Sequence, residues 1–506
     1  MAELDAPPPN AKVIRSDHSP RTPSSLVLGE GNAADEFDVV AYQKETPKWR
    51  RIHQHSLTQM LLMSVQAFCG PAMGDAIAGL GGGGLATPQT SNIATAISYS
   101  CLATTCLFGP ILVNRLETKW ALVYGAMSFP IRGASYYCNS KFGNQWFLVL
   151  GAFITGTGSG FWYVAESGTI MSIAPSGARG KYLALWIVAR NTGQLIGGAI
   201  NLSKNHVAGQ KGGVTPDTYI AFLVIESLAF PFAWLISPLH NVVRSDGTKV
   251  RVAERVSAKE EFSIIKKTWT SKLILLTATW ALWSFFYSGT WSTYLATYFS
   301  VRARALSSLI SPFFCIVGCF GLEFILDLKG VNQRRRAQLG LITVLVLNTG
   351  VYIWTLIMQT KFNKEDPGKI DWADHLYPSA FLPYFFVQTT GPLSQSYMYW
   401  LLSSFAQAAQ TNVRNGAAFR CIEAVGQAIS YGMNTKIKTS PLIGFCVTFA
   451  LMGLTIVPTT VLVNSTPDQI PADVLDQEEK AKELEQKNDL KKSPVIEEAS
   501  VVVSRL

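Results

Sequence analysis

Charge is scarce in this chain. Only 15% of its 506 residues are Asp, Glu, Lys or Arg, against 48% hydrophobic, whereas a soluble domain carries about a quarter charged residues. The charges that exist cluster between long apolar runs. This pattern argues against a water-soluble globular fold and for a chain embedded in lipid. Histidine is scarcer still: the six (18, 53, 55, 206, 240 and 375) lie outside the apolar runs or at their edges. Any proton-carrying group inside the runs must therefore be Asp or Glu. The eight cysteines (69, 101, 106, 138, 315, 319, 421 and 446) form no CxxC pair and sit in or beside apolar runs. They are expected as small packing residues, not as a disulfide or metal framework. No GxxxxGK[ST] loop, metal constellation or GxSxG elbow occurs, so ATP-driven export and the common hydrolytic chemistries are not expected. The chain is read as a non-enzyme with no cofactor and no metal. Its net charge of +9 does not imply nucleic acid, because most Lys and Arg occupy short loops between apolar runs, where they set topology.

What is present are twelve apolar segments, at approximately 57–79, 90–113, 119–138, 146–174, 181–203, 217–237, 272–298, 305–326, 337–359, 378–404, 416–435 and 441–463. Each is about long enough to cross a bilayer core of ~30 Å. The fold class is therefore all-α: a polytopic membrane protein of twelve transmembrane helices. The longest polar connection, 238–271, divides them into an N-terminal half (57–237) and a C-terminal half (272–463). Basic residues concentrate in the even-to-odd connections, among them Arg179, Lys181, Arg244, Lys266, Lys267, Arg414 and Arg334-Arg335-Arg336, whereas loop 80–89 carries no charge. The positive-inside rule then places both tails and the 238–271 linker in the cytoplasm. Residues 1–56, with PPP and SPRTP, read as a disordered tail. No apolar h-region precedes the first segment, which must itself act as the insertion signal. Residues 464–506 read as a second cytoplasmic tail, with a solvated, mixed-charge helical stretch at 475–492. Neither Asn201 nor Asn464 is expected to be glycosylated. The host is the lipid bilayer of a plasma membrane or endomembrane.

The most informative stretch runs from Gly151 to Asn201, two apolar helices joined by the tight basic turn SGARG. Each carries one charge in its apolar body, Glu166 and Arg190, and each charge lies nine residues from the turn, roughly 13 Å in. Ionisable groups near a bilayer midplane are costly; they pair, or they line a pathway. A repeat strengthens the case. Gly193-Gln194-x-Ile196 followed by Asn201 matches Gly426-Gln427-x-Ile429 followed by Asn434, a GQxIxxxxN pattern at a constant offset of 233 residues. Thr157-Gly158 meets Thr390-Gly391 at the same offset. Just before GQ, one half has Arg190 and the other Glu423, so opposite charges at symmetry-related depths could face each other across a central cavity. Glu166, Arg190, Glu423, Gln194 and Gln427 are the candidates for that cavity and for coupling. A static Glu166–Arg190 bridge within the hairpin is the structural alternative.

Secondary candidates are Asp75 and Arg132, which lie at comparable depth and could pair, and Glu226 near the middle of the sixth segment, which has no obvious partner. Pro71 and the glycines from Gly70 to Gly84 should kink the first helix. Aromatics cluster at Phe161-Trp162-Tyr163, Trp280 to Trp291 and Tyr397 to Trp400, suited to interfacial belts, packing or a pocket for a large apolar solute. Asp327-x-x-Gly330 followed by Arg334 and Arg335 resembles the facilitator loop between the second and third helices of a half, in which acidic and basic side chains latch the cytoplasmic face. In the first half, GPILVNRLETK (109–119) has Asn114 where the acid is expected.

The stretches GPAMGDAIAGLGGGG (70–84) and ESGTIMSIAPSGARGKYLALWIVARNTGQLIGGAINL (166–202), with the eleventh segment, resemble the fungal Unc-93-like branch of the major facilitator superfamily over roughly residues 55–460. That resemblance implies two six-helix bundles of the major facilitator type with cytoplasmic termini. It implies no substrate: some such proteins regulate potassium channels or accompany receptors in trafficking, and some fungal members lie beside biosynthetic genes. Asp75 departs from the Asn expected in the glycine motif. Two functions are thus carried forward. One is a secondary transporter moving a small organic solute, such as an exported metabolite, by alternating access. The other is a non-transporting partner that regulates or escorts another membrane protein.

Overall fold

The computed structural model describes residues 42, 44–85, 88–175, 178–207, 213–245, 247–250, 257–405, 409–435 and 440–467. The expected mixed-charge stretch at 475–492 lies outside them. Among the described residues each apolar segment becomes a long helix, two of them broken: α1 (Ser56–Gly79, broken), α2 (Pro88–Leu116), α3 (Thr118–Phe142), α4 (Gln145–Ile173), α5 (Arg179–Asn205), α6 (Pro216–Trp234), α7 (Lys272–Tyr298, broken), α8 (Val301–Leu326), α9 (Gln333–Lys364), α10 (Tyr377–Ser403), α11 (Ala409–Met433) and α12 (Pro441–Asn464). Eight are long and apolar enough to cross a membrane by length and composition alone; α3, α5, α10 and α11 are not. α5 and α11 fall short because they carry the repeat, with its charges and carboxamides. Lipid-side positions are frankly apolar, with Phe324, Val457, Val346 and Leu454 among the most exposed residues. Such exposure suits hydrocarbon and not water.

α1 breaks into Ser56–Cys69 and Pro71–Gly79 at Gly70, where Pro71 has no N–H to donate. α7 breaks equivalently into Lys272–Ser284 and Tyr287–Tyr298, a discontinuity its sequence does not announce. The glycine stretch after α1 does more than kink a helix. Gly81 to Gly84 all have positive φ, between 57° and 72°, a run that residues with a Cβ avoid at about 1–2 kcal/mol each. Their backbone ties elements together: the Gly81 carbonyl accepts from buried Arg304 (3.2 Å), the Gly82 N–H donates to Ser292 (2.8 Å), and the Gly83 carbonyl accepts from Tyr219 (2.7 Å).

α1–α6 and α7–α12 form the two six-helix bundles. They meet chiefly where α5 lies along α8 and where α11 lies along α2 and α4. α11 begins seven residues before its expected start, since its polar first turns face this seam and not lipid. Glycines allow the close approach. On the side of the 238–271 linker, a Cβ on Gly168 would stand 2.1 Å from Val413, and one on Gly416 would stand 2.3 Å from Ser167. On the far side, one on Gly198 would meet the Ser308 carbonyl at 2.3 Å. Gly168→Leu is therefore expected to destabilise the protein by about 1–3 kcal/mol, read as a lower unfolding temperature of the purified chain.

The tail expected to be disordered as far as residue 56 is already helical over Lys48–Gln54. His53 fixes it to the end of α6, its ring nitrogens 2.7 Å from the Leu235 carbonyl and 3.0 Å from Ser237 Oγ. In the linker, Ala258–Trp269 forms an amphipathic helix opened by a capping box between Ser257 and Glu260.

Candidate functional site

The breaks in α1 and α7 flank a cavity between the bundles. This cavity, about 100 Å³ in volume, is lined from one side by Asp75, Tyr163 and Arg190, and from the other by Tyr287, Trp291 and Gln427. An adjoining space of about 100 Å³ reaches Arg132 and shares Asp75, Tyr99 and Tyr163 with it.

The GQxIxxxxN repeat has the same division of labour in both halves. Its glycine packs on the first helix of its own half: Gly193 against Phe68 and Ala72 of α1, Gly426 against Leu282 of α7. Its asparagine bonds to that same helix, Asn201 Nδ2 to the Ala76 carbonyl (3.2 Å) and Asn434 Nδ2 to Thr290 Oγ1 (3.4 Å). Its isoleucine faces outward, Ile196 and Ile429 being 39% and 47% exposed. Its glutamine lines the cavity. The match found in the sequence is thus geometrically equivalent, residue by residue.

The charges pair differently from either sequence expectation. Arg190 does not reach Glu166 or Glu423; its Nε and Nη2 donate to the two carboxylate oxygens of Asp75 at 2.7 and 3.1 Å. Gly193 packs level with Phe68 and Ala72, so Arg190 starts below Asp75, and its long side chain spans the difference. Asp75 is consequently not the partner of Arg132. The Arg132 guanidinium instead lies against Gly74 and over the Phe129 ring, 3.5 Å from Ser159 Oγ.

Glu166 and Glu423 share a cation that the sequence reading passed over. Arg420, buried on α11, bonds through Nη1 to Glu423 and holds Nη2 3.9 Å from Glu166 Oε2, across the bundle seam. Its guanidinium stacks 3.8 Å over the Tyr163 ring, whose hydroxyl is 3.4 Å from Arg190 Nη2. Trp186 Nε1 donates to Glu166 Oε1 (2.7 Å), while Ser284 Oγ (3.1 Å) and Gln395 Nε2 (2.9 Å) donate to Glu423. The signal for Arg420 was present, since Arg420 and Glu423 are three residues apart and share a helix face. Two arginines and three carboxylates result, the carboxylates one in excess. Glu166, Glu423 and Arg420 are 0%, 2% and 6% exposed, but Asp75 is 33% exposed, so the Asp75–Arg190 pair is the charged face of the cavity. Glu226 is buried, with Oε2 3.2 Å from the Gly133 N–H.

The latch candidates lie on the linker side. Asp327 follows α8 and abuts the first turn of α5, where a Cβ on Gly180 would stand 2.3 Å from its carboxylate. Burial pushes the Asp327 carboxyl up, partly opposed by Arg336 and by the Gly180 and Lys181 N–H groups. Gly330 takes the left-handed turn, φ 73°. Arg334 reaches the Thr466 carbonyl (3.3 Å) and Arg335 turns to Gln338 (3.4 Å). Arg336, the third of the run, braces the loop through the Val331 (2.9 Å) and Leu326 (3.2 Å) carbonyls. In the first half, the acid missing at Asn114 comes from the linker helix. Glu261 accepts from Asn114 Nδ2 (2.8 Å) and pairs with Arg414 at the start of α11 (2.8 and 2.7 Å).

Two six-helix bundles enclosing a charged cavity at their seam define a membrane protein of the major facilitator type. Solved structures share the fold. The xylose transporter XylE of E. coli, in a partially occluded inward-open conformation, matches with a TM-score of 0.56 at 15% identity, over 82% of this chain and 98% of that one. A bacterial homologue of the iron transporter ferroportin, outward-facing, matches at 0.53 and 9% identity over 80% and 98%. The chain belongs to the UNC-93 family, as its glycine stretch and hairpin led one to expect. The family model, described as ion channel regulatory protein UNC-93, matches residues 86–320. Notoamide biosynthesis cluster protein O' of Aspergillus versicolor is 33% identical over 391 residues, 77% of this chain and 85% of that protein. UNC93-like protein 1 of Arabidopsis thaliana is 25% identical over 418 residues, 81% and 90% respectively.

Proposed function

We propose that this multi-pass membrane protein is a secondary transporter that moves a small organic solute through the cavity between its bundles by alternating access. The observation that carries this reading is the ion pair across the seam: Arg420 of one bundle held between its own Glu423 and Glu166 of the other. A contact of this kind can form in one state and break in another, which is what coupling to a solute or proton requires. The solved structures of this fold named above are of transporters, and a relative takes its name from a biosynthesis cluster, in keeping with an exported metabolite as cargo. The test is flux in proteoliposomes, with and without a pH gradient, over a panel of small amphipathic metabolites. The wild type is compared with Glu166→Gln, Arg190→Gln and Glu423→Gln. Flux that all three variants lose while remaining folded supports the reading; flux unchanged in all three removes these charges from the mechanism. The family's description as ion channel regulatory favours the second reading, a non-transporting partner of another membrane protein, and no flux from any well-folded preparation would establish that one instead.

A further inference from the structure

The two carboxylates that line the main cavity, Asp75 and Glu423, are already engaged by arginines, and the groups left open beside them are of a different chemistry. Both oxygens of Asp75 are taken by Arg190, and Glu423 is met by Arg420, Ser284 and Gln395. In contrast, Gln194 and Gln427 both line the cavity, and neither carboxamide has a hydrogen-bond partner among the described residues. They are the same position of the repeat, one from each bundle, so each bundle presents one unspent donor and acceptor. The walls are aromatic: Tyr99 and Tyr431 stack across the seam, centroids 5.8 Å apart and planes 15° from parallel, and Trp186, Tyr287, Trp291 and Tyr384 add further ring surface. Flat faces select a flat solute. Gln427 is 7% exposed and Gln194 half-buried, and a carboxamide shielded from water gains most from a group that both donates and accepts.

We propose that the cavity takes an uncharged planar aromatic or heteroaromatic solute bearing a carboxamide or lactam, gripped between Gln194 and Gln427. This rests on the reading of the cavity as a solute site. An ionic solute seated between the glutamines would compete with the Asp75–Arg190 or Arg420–Glu423 pair, whereas an amide can bond both glutamines without unpairing either.

The experiment is equilibrium binding to the purified full chain by titration calorimetry at neutral pH. Its probes are three compounds of one shape: quinoline-3-carboxamide, quinoline-3-carboxylate and quinolin-3-ylmethylammonium. The neutral amide is expected to bind about tenfold or more tighter than either ion, and a Gln194→Ala/Gln427→Ala variant is expected to lose about tenfold or more for the amide alone. Gln194→Glu/Gln427→Glu, which keeps the shape, is expected to weaken the amide as well. Binding of none of the probes, equal or tighter binding of either ion, or amide binding untouched by the alanine pair overturns the proposal. Because this measures binding and not flux, it separates the two claims. Amide binding without flux overturns the carrier reading alone, whereas flux of an ionic solute with no amide binding overturns the solute class alone.

Discussion

Arg420→Met is expected to destabilise the folded protein by about 3–5 kcal/mol, because it leaves two buried carboxylates without their cation. Glu166 and Glu423 are both almost wholly buried, and removing the guanidinium costs more than one ion pair is worth, since the surviving charges keep their desolvation penalty. The Tyr163 face loses its stacked cation as well. Unfolding temperature and monodispersity of the detergent-purified chain read this directly. A second variant separates structure from coupling. Arg420→Met combined with Glu166→Gln and Glu423→Gln removes the whole charged group, and neutralising a buried triad is commonly neutral or stabilising. The combined variant is expected to recover most of the lost stability while remaining without flux. An Arg420→Met protein as stable as the wild type would show that the cation does not hold the seam. A stable combined variant that still transports would reduce the triad to a static bridge.

The sequence made the scaffold legible and left its pairings hidden, for reasons particular residues make plain. Helix positions follow from apolar length, and the α1 break falls at a visible glycine and proline. The α7 break at Phe285 has neither marker, and both of its halves pack against α11. The GQxIxxxxN repeat was legible as a match with its glutamines as cavity candidates, because two copies in equivalent surroundings leave the same trace; the places of its glycine, isoleucine and asparagine were not. Charge pairing was not. Depth along a helix fixes where a Cα sits, but an arginine side chain reaches beyond a helical turn, and Arg190 uses that reach to find Asp75. Glu166 meets Arg420 across more than 250 residues of chain because α4 and α11 pack through Gly168 and Gly416, and a single sequence does not reveal which helices of two bundles touch. The acid–base contacts expected of the 327–335 loop were not legible either: Arg334 and Arg335 turn to the Thr466 carbonyl and Gln338, and Asn114 looked like a loss.

The linker-side seam near Asn114 is closed by Glu261, whose carboxylate joins the end of α2 to the start of α11 through Asn114 and Arg414. Arg414 and Glu261 side chains are only 10% and 3% exposed. Without Glu261, Arg414 would be a buried cation with no counter-charge, and the cheapest relief is for the seam to part and admit water. Glu261→Ala should therefore shift the protein toward a state open on the linker side. Val413, 2% exposed and packed on Gly168 next to Arg414, reports it. In a chain without other cysteines, Val413→Cys is expected to react slowly with a membrane-impermeant thiol reagent, and about tenfold or more faster when Glu261 is Ala. Restoring an acid at the position where the repeat calls for one, Asn114→Asp in the Glu261→Ala background, puts a carboxylate back at the end of α2 beside Arg414 and should return the reaction to its slow rate. Unchanged labelling in Glu261→Ala would mean the glycine contacts alone keep the seam shut. Fast labelling that Asn114→Asp fails to slow would mean the linker helix closes the seam by its bulk, its charge being incidental. With rescue, the acid of the first-half latch has moved from the loop to the linker, so that the segment joining the two bundles also sets how tightly they close.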